Sequence, residues 1–193
     1  MEPKKVALAC SGGADSTFLA REVAESRMEA ESPQIWVVDH GHRPDSAADA
    51  AAAVGLYQNL GLPARVLCAD SPAADENSLR NVRYAALQKA AQADGVGTIW
   101  TAHTADDVAE TVLLRIFRGT GLRGLAGIPA RRELAPGVWV ERPLLHLRRA
   151  AMRQALLDAD QAWIEDSTNA DPTAAARNRL RHEVLPALVT IST

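Results

Sequence analysis

The sequence predicts an α/β fold in which a mostly parallel sheet is covered by helices on both faces. Three observations carry this. Short apolar runs recur at 6–10, 35–38, 65–68 and 98–102, and runs of that length suit buried strands. A stretch of helical character follows each of them, and strands alternating with helices imply right-handed crossovers and parallel pairing. Turn-forming residues punctuate the exits, as at Ser11-Gly12-Gly13 and Asp39-His40-Gly41.

Taken in order, 6–10 is a strand, Ser11 to Gly13 a tight loop, and a helix runs from 15 to about 29. The pattern repeats with a strand at 35–38 and an alanine-rich helix from about 45 to 60, which Asp45 or Ser46 can cap. A third strand at 65–68 precedes a helix at 77–93, and a fourth at 98–102 precedes a helix at 105–118. Gly119, Gly121, Gly124 and Gly127 then break the rhythm, at a density that no helix tolerates. A last strand is expected at 138–140, a helix at 148–159 and a more basic helix at 173–188.

The 193 residues, 47% of them hydrophobic, are enough for one sizeable core, so a single domain is expected, with about 146–193 as a helical extension. A formal charge of −3 gives no overall attraction for a polyanion, so any nucleic acid must be held by local patches. The first residues are charged and no run is long enough to span a bilayer, which predicts a soluble, cytoplasmic protein. Cys10 and Cys68 end apolar runs far apart in sequence and read as buried thiols rather than a disulfide or metal pair.

The loop between the first strand and first helix is the strongest chemical signal. First-turn N–H groups lack partners and the helix dipole adds positive character, so an anion can settle there. Ser11, Gly12, Gly13, Ala14, Asp15 and Ser16 form this candidate nucleotide site. The glycines let the backbone approach, the hydroxyls can donate, and Asp15 is the candidate ligand for a Mg2+ bridging phosphates. The loop has neither the Gly-Lys-Ser/Thr ending of a Walker motif nor the GxGxxG of a dinucleotide fold. A second signal lies at 106–110, where Asp106, Asp107 and Glu110 crowd one helix start. Their mutual repulsion calls for a cation, while the plainer reading is interaction with the helix dipole.

Ser-Gly-Gly-x-Asp-Ser resembles the signature of the PP-loop ATP pyrophosphatases. That resemblance implies a Rossmann-like fold with a five-stranded parallel sheet, cleavage of ATP between its α and β phosphates, and adenylation of a substrate. Later segments resemble the tRNA(Ile)-lysidine synthetase branch: the second-strand exit at 38–47, Asn77 with Arg80, Arg83 and Tyr84, the block from His103 through Asp106, Asp107, Glu110 and Thr111, and Arg118-Gly119-Thr120-Gly121. Arg142-Pro143-Leu144, the stretch 165–169 and Arg177-Asn178-Arg179-Leu180-Arg181 continue the match. Thr104, Val108 and His42 depart from the branch's usual residues.

What the branch resemblance implies is an enzyme that uses ATP and Mg2+ to join L-lysine to the wobble cytidine of tRNA(Ile) with a CAU anticodon. Asp39 would face the nucleotide crevice, and Asp107 and Glu110 would bind or deprotonate the lysine amine, with His103 and Arg83 nearby. Arg177 and Arg181 would lie near phosphates, and the 119–127 segment is either a loop that closes on the anticodon or a connector. The branch's C-terminal tRNA-binding domain has no counterpart in these residues. Two other readings remain: a 2-thiocytidine-type tRNA enzyme, against which the lack of a Cys-x-x-Cys pair counts, and an ATP-binding module without catalysis.

Overall fold

In the computed structural model, residues 5–26, 28, 30, 33–41, 45–69, 76–165, 179–185 and 187 are described. Strand β1 (Val6–Cys10) leads into helix α1 (Ala14–Ala24), β2 (Gln34–Asp39) into α2 (Ser46–Asn59), and β3 (Ala64–Cys68) is followed by α3 (Glu76–Asp94). Then come β4 (Thr98–Thr101), α4 (Ala105–Phe117), a single-turn α5 (Leu122–Leu125), β5 (Arg131–Ala135), β6 (Val138–Glu141) and α6 (Arg149–Asp158). A π-helical turn covers Leu180–Val184.

The six strands lie in the order β3-β2-β1-β4-β6-β5. Five are parallel, as expected, and β5 is an added antiparallel edge strand. Its sequence, Arg-Arg-Glu-Leu-Ala, hides it from an apolar-run search, because an exposed edge carries charge to discourage further pairing. Pro136 and Gly137, the latter at φ 78°, make the tight turn into β6, a pairing suited to the two central positions of a type II turn.

Alternation along β1 assigns its two faces. Val6, Leu8 and Cys10 join one cluster with Leu19 of α1, Tyr57 of α2, and Met152 and Leu156 of α6, while Ala7 joins Trp36, Leu87, Ala91 and Ile99 on the other face. Both faces are therefore covered, as a parallel sheet requires. Truncating Leu8, which is wholly buried, removes contacts worth about 2–5 kcal/mol.

Three local expectations are corrected. The first helix ends at Ala24 rather than about 29, and Ser26 then adopts φ 56°, a left-handed turn geometry incompatible with continuing the helix. The glycine-rich segment does hold one helical turn, α5, because the Arg115 guanidinium donates to the carbonyls of Gly124 and Gly127 at 3.0 and 2.9 Å. Cys10 is buried, with burial pushing its thiol up to about 12, but Cys68 at the end of β3 is exposed. Both thiols are free. The expected helix at 173–188 falls largely outside the described residues, as do Arg177 and the 166–169 stretch.

Candidate active site

The loop after β1 sits at the carboxyl end of the central strand, where ligands bind in open α/β sheets. Gly13 is the N-cap of α1, and no side chain caps the helix there, so its first amides are left for an anion. Gly12 has φ 90°, and a Cβ at that position would lie 2.8 Å from Ile164 Cδ1 and 3.2 Å from Ala53 Cβ. The glycine is thus required by conformation and by packing behind the loop. Ile164 N–H donates to the Gly12 carbonyl at 2.9 Å.

Tyr57 braces the same loop from α2. Its hydroxyl accepts from Gly12 N–H at 2.9 Å and lies 3.0 Å from Ser16 Oγ, which donates to the Gly13 carbonyl at 2.9 Å. Burial drives the Tyr57 phenol far above its ordinary pKa, so it stays neutral and able to donate. Ser16 is buried and shapes the loop, whereas Ser11 is exposed at its mouth. Ala14 is buried beneath the first turn.

Asp15 projects from the first turn of α1 toward α4 and α6. Its Oδ2 accepts from Arg149 Nε at 3.0 Å. The same guanidinium donates to Asp107 Oδ1 at 2.9 Å and to Glu110 Oε1 at 3.3 Å. Arg181, on the π-helical turn, adds bonds to both Glu110 oxygens at 2.8 and 3.2 Å. Three carboxylates from two helices are thereby gathered on one arginine. Burial opposes the Arg149 charge, but Asp107 and Asp15 outweigh it and hold the guanidinium firmly protonated.

Asp107 also closes a capping box: its Oδ2 accepts from Thr104 N–H at 2.8 Å while Thr104 Oγ1 accepts from Asp107 N–H at 3.3 Å. The capping role at the helix start and an ion pair to Arg149 therefore coexist in one side chain. Asp106 reaches outward, accepting from Arg149 N–H at 2.7 Å and Arg148 Nε at 3.1 Å, and so caps α6 from a neighbouring helix. Burial raises the Asp106 pKa, but the Arg149 amide and the Arg148 guanidinium overcome this and lower it.

His103 lies just past β4, with Nδ1 2.9 Å from Thr101 Oγ1. Burial first and then the nearby Arg142 depress its pKa to about 4, so the ring is neutral near pH 7. Arg83 is an exposed residue of α3 whose charge reaches His103. Asp39 ends β2 on the other side of β1, where its Oδ1 accepts from Gly41 N–H at 2.9 Å in a local turn. The structure thus brings Asp15, Asp107 and Glu110 into direct contact with a shared partner, places His103 within reach of the Asp107 and Arg83 charges, and leaves Asp39 across the central strand.

Asp15 suits a phosphate-borne Mg2+. Its Oδ1 is buried without a hydrogen-bond partner among the described residues, and burial, with the Asp107 charge adding to it, raises its pKa despite Arg149. No group of three or more His, Cys, Asp or Glu among the described residues could hold an ion by itself. That leaves one carboxylate plus substrate phosphates, the usual manner in which Mg2+ is held. A cavity of about 520 Å3 lies elsewhere, between Pro33–Ile35 and Gly61–Arg65 at the amino ends of β2 and β3. It is largely apolar and far from these groups. No helix among the described residues is long and apolar enough to cross a membrane.

Residues 1–188 match the PP-loop domain family. The chain is 45% identical over 195 aligned residues to a tRNA(Ile)-lysidine synthase of Salinispora tropica, covering 97% of this chain and 57% of that protein. It is 41% identical to the tRNA(Ile)-lysidine synthase of Rhodopseudomonas palustris, over 95% of this chain and 54% of the relative. The chain therefore spans about half the length of the curated relatives it matches. Among solved structures, the U34-tRNA thiolase NcsA from Methanococcus maripaludis superposes with TM-score 0.71 at 17% identity, over 94% of this chain and 68% of that one. This likeness concerns the fold alone.

Proposed function

We propose, since this chain belongs to the PP-loop domain family, that it performs the chemistry of a tRNA(Ile)-lysidine synthetase. The observation that carries the reading is Arg149, which joins Asp15 of the phosphate loop to Asp107 and Glu110 of the acidic pocket. An anion site and a cation site side by side suit a reaction that activates one substrate with ATP and then attacks it with an amine.

In this reading the C2 oxygen of the wobble cytidine of tRNA(Ile), CAU anticodon, attacks the α-phosphate of ATP and pyrophosphate departs. The bond formed converts a poor leaving oxygen into a good one. The lysine ε-amine, which Asp107 or Glu110 relieves of a proton, then attacks C2, and AMP leaves with the former C2 oxygen. The amides of α1 stabilise charge on the departing pyrophosphate, and neutral His103 can accept or share a hydrogen bond at the reacting base. A Mg2+ held by Asp15 would supply further neutralisation of phosphate charge. The tRNA substrate implies work in the cytoplasm.

The direct test is incubation with ATP, L-lysine and unmodified tRNA(Ile), followed by nucleoside analysis for lysidine. Glu110→Gln should raise the lysine KM at least about tenfold while ATP binding stays within about twofold, since a hydrogen bond to a charged group contributes about 1.5–3 kcal/mol. Equal loss of both ligands in calorimetry would assign the pocket to the nucleotide or to the fold.

A further inference from the structure

A second cluster of charge stands on the other side of His103 and takes no part in the chemistry above. Tyr84, on α3, lies under the guanidinium of Arg132 at 4.2 Å and faces that of Arg80 at 5.1 Å. Arg142 approaches the same phenol from the end of β6. Its side chain is almost wholly buried, with Nη1 donating to the Pro129 carbonyl at 2.7 Å. The Nε atoms of Arg132 and Arg142 are buried and without a hydrogen-bond partner among the described residues. None of Arg80, Arg132 and Arg142 forms an ion pair with a carboxylate among the described residues.

Three like charges around one phenol repel each other, and buried donors left unmade are costly. An anion with several oxygens answers both problems, and guanidiniums are the groups best shaped to receive a phosphate. The cluster's place in the sheet says which phosphate. Arg142 follows β6, and Arg132, on β5, pairs with Val140 of β6, so both stand at the edge of the sheet that His103 occupies. The phosphate loop belongs to β1, two strands away in the order β1-β4-β6, or about 10 Å at ordinary strand spacing. A nucleotide seated on the loop keeps its phosphates there.

We infer that Arg80, Arg132 and Arg142, gathered on Tyr84 beside His103, form a binding site for a backbone phosphodiester of the RNA substrate, separate from the nucleotide phosphates at the loop. This rests on the proposed tRNA reaction. The site holds the strand next to the reacting base, and Arg142, fixed by Pro129, sets its depth.

The test uses the whole chain with an RNA stem-loop carrying the CAU anticodon, followed by anisotropy over a salt series. Arg80→Gln and Arg132→Gln are combined, because both side chains reach solvent and can be changed without opening the core. Affinity should fall at least about tenfold for the pair, and the slope of log affinity against log salt should drop by about 1.4, or 0.7 per single-strand contact. Arg132→Lys should keep the slope. ATP affinity by calorimetry, and competition by pyrophosphate, should not change. Parallel loss of ATP or pyrophosphate binding would give the cluster to the nucleotide and overturn the inference. Unchanged RNA binding by the double variant, with its thermal midpoint intact, would overturn it while leaving the proposed reaction standing. A wild-type chain that bound no RNA even at low ionic strength would remove both.

Discussion

The starts of α1 and α4 are built alike and finished differently. Each follows a strand at the carboxyl edge of the sheet, β1 and β4, which are direct neighbours. At α1 the N-cap is Gly13, nothing caps the helix, and the first amides stay open. At α4 the N-cap is Thr104, Asp107 completes a capping box, Asp106 reaches outward to Arg148 and the Arg149 amide, and buried Glu110 is held by Arg149 and Arg181. One helix start is left for an anion from outside; the other consumes its own amides and presents negative charge to a cation. In the proposed reaction the two helix starts would hold substrates of opposite charge one strand apart, and Arg149 links the two ends.

Removing the link should have the largest effect. Arg149→Met leaves Asp15, Asp107 and Glu110 facing one another with only Arg181 in reply, and the loss of one partner from a buried ionic set costs about 3–5 kcal/mol. Urea denaturation reads the loss, and adding Glu110→Gln should recover part of it. A stable single variant would show that the two helix starts are independent.

The next test addresses α1 alone. Asp15→Asn should lower ATP-dependent pyrophosphate release about 100- to 1000-fold, the range found when a group aimed at transition-state charge is lost, with far-UV circular dichroism unchanged. Wild-type release would remove Asp15 from the nucleotide site. At the α4 side, acid should act through His103. Its folded pKa of about 4 lies below the ordinary 6.5, so the unfolded chain binds the proton first as pH falls. The stabilisation is whole above pH 6.5 and is lost between about 6.5 and 4, by up to about 3 kcal/mol. His103→Gln should abolish that part of the pH profile.

The smallest effects sharpen the contrast in capping. Thr104→Val should cost about 1 kcal/mol, the usual worth of an N-cap, whereas Gly13→Ser should change stability by only a few tenths because no side-chain cap bond exists there to lose. Equal losses at the two positions in thermal melts would break the distinction.

Much of the α1 end was legible because its signal is local: a buried strand, a glycine turn and a helix all lie between Val6 and Ala24. The parallel sheet followed from the same alternation. The α4 end was legible as a carboxylate cluster but not in its partners. Arg149 stands in a stretch with Arg142, Arg148 and Arg153, where nothing in spacing separates a central guanidinium from a solvated one. Its role comes from α6 packing on α1, a contact between distant parts of the chain. Tyr57 was hidden for the same reason, as one aromatic in an alanine-rich helix. Strand β5 escaped because an edge strand has no apolar run to betray it.

The seal behind Gly12 carries a consequence for how the protein comes into being. The loop's glycine turn, Tyr57 and α2 are all made early, but the side chain that closes on the loop from behind, Ile164, is made roughly a hundred residues later. At about 5–20 residues per second, a growing chain waits on the order of 5–20 s between completing α2 and having the residue that packs behind the loop. For that interval the nascent protein possesses the motif without the residue that packs behind Gly12 and bonds its carbonyl.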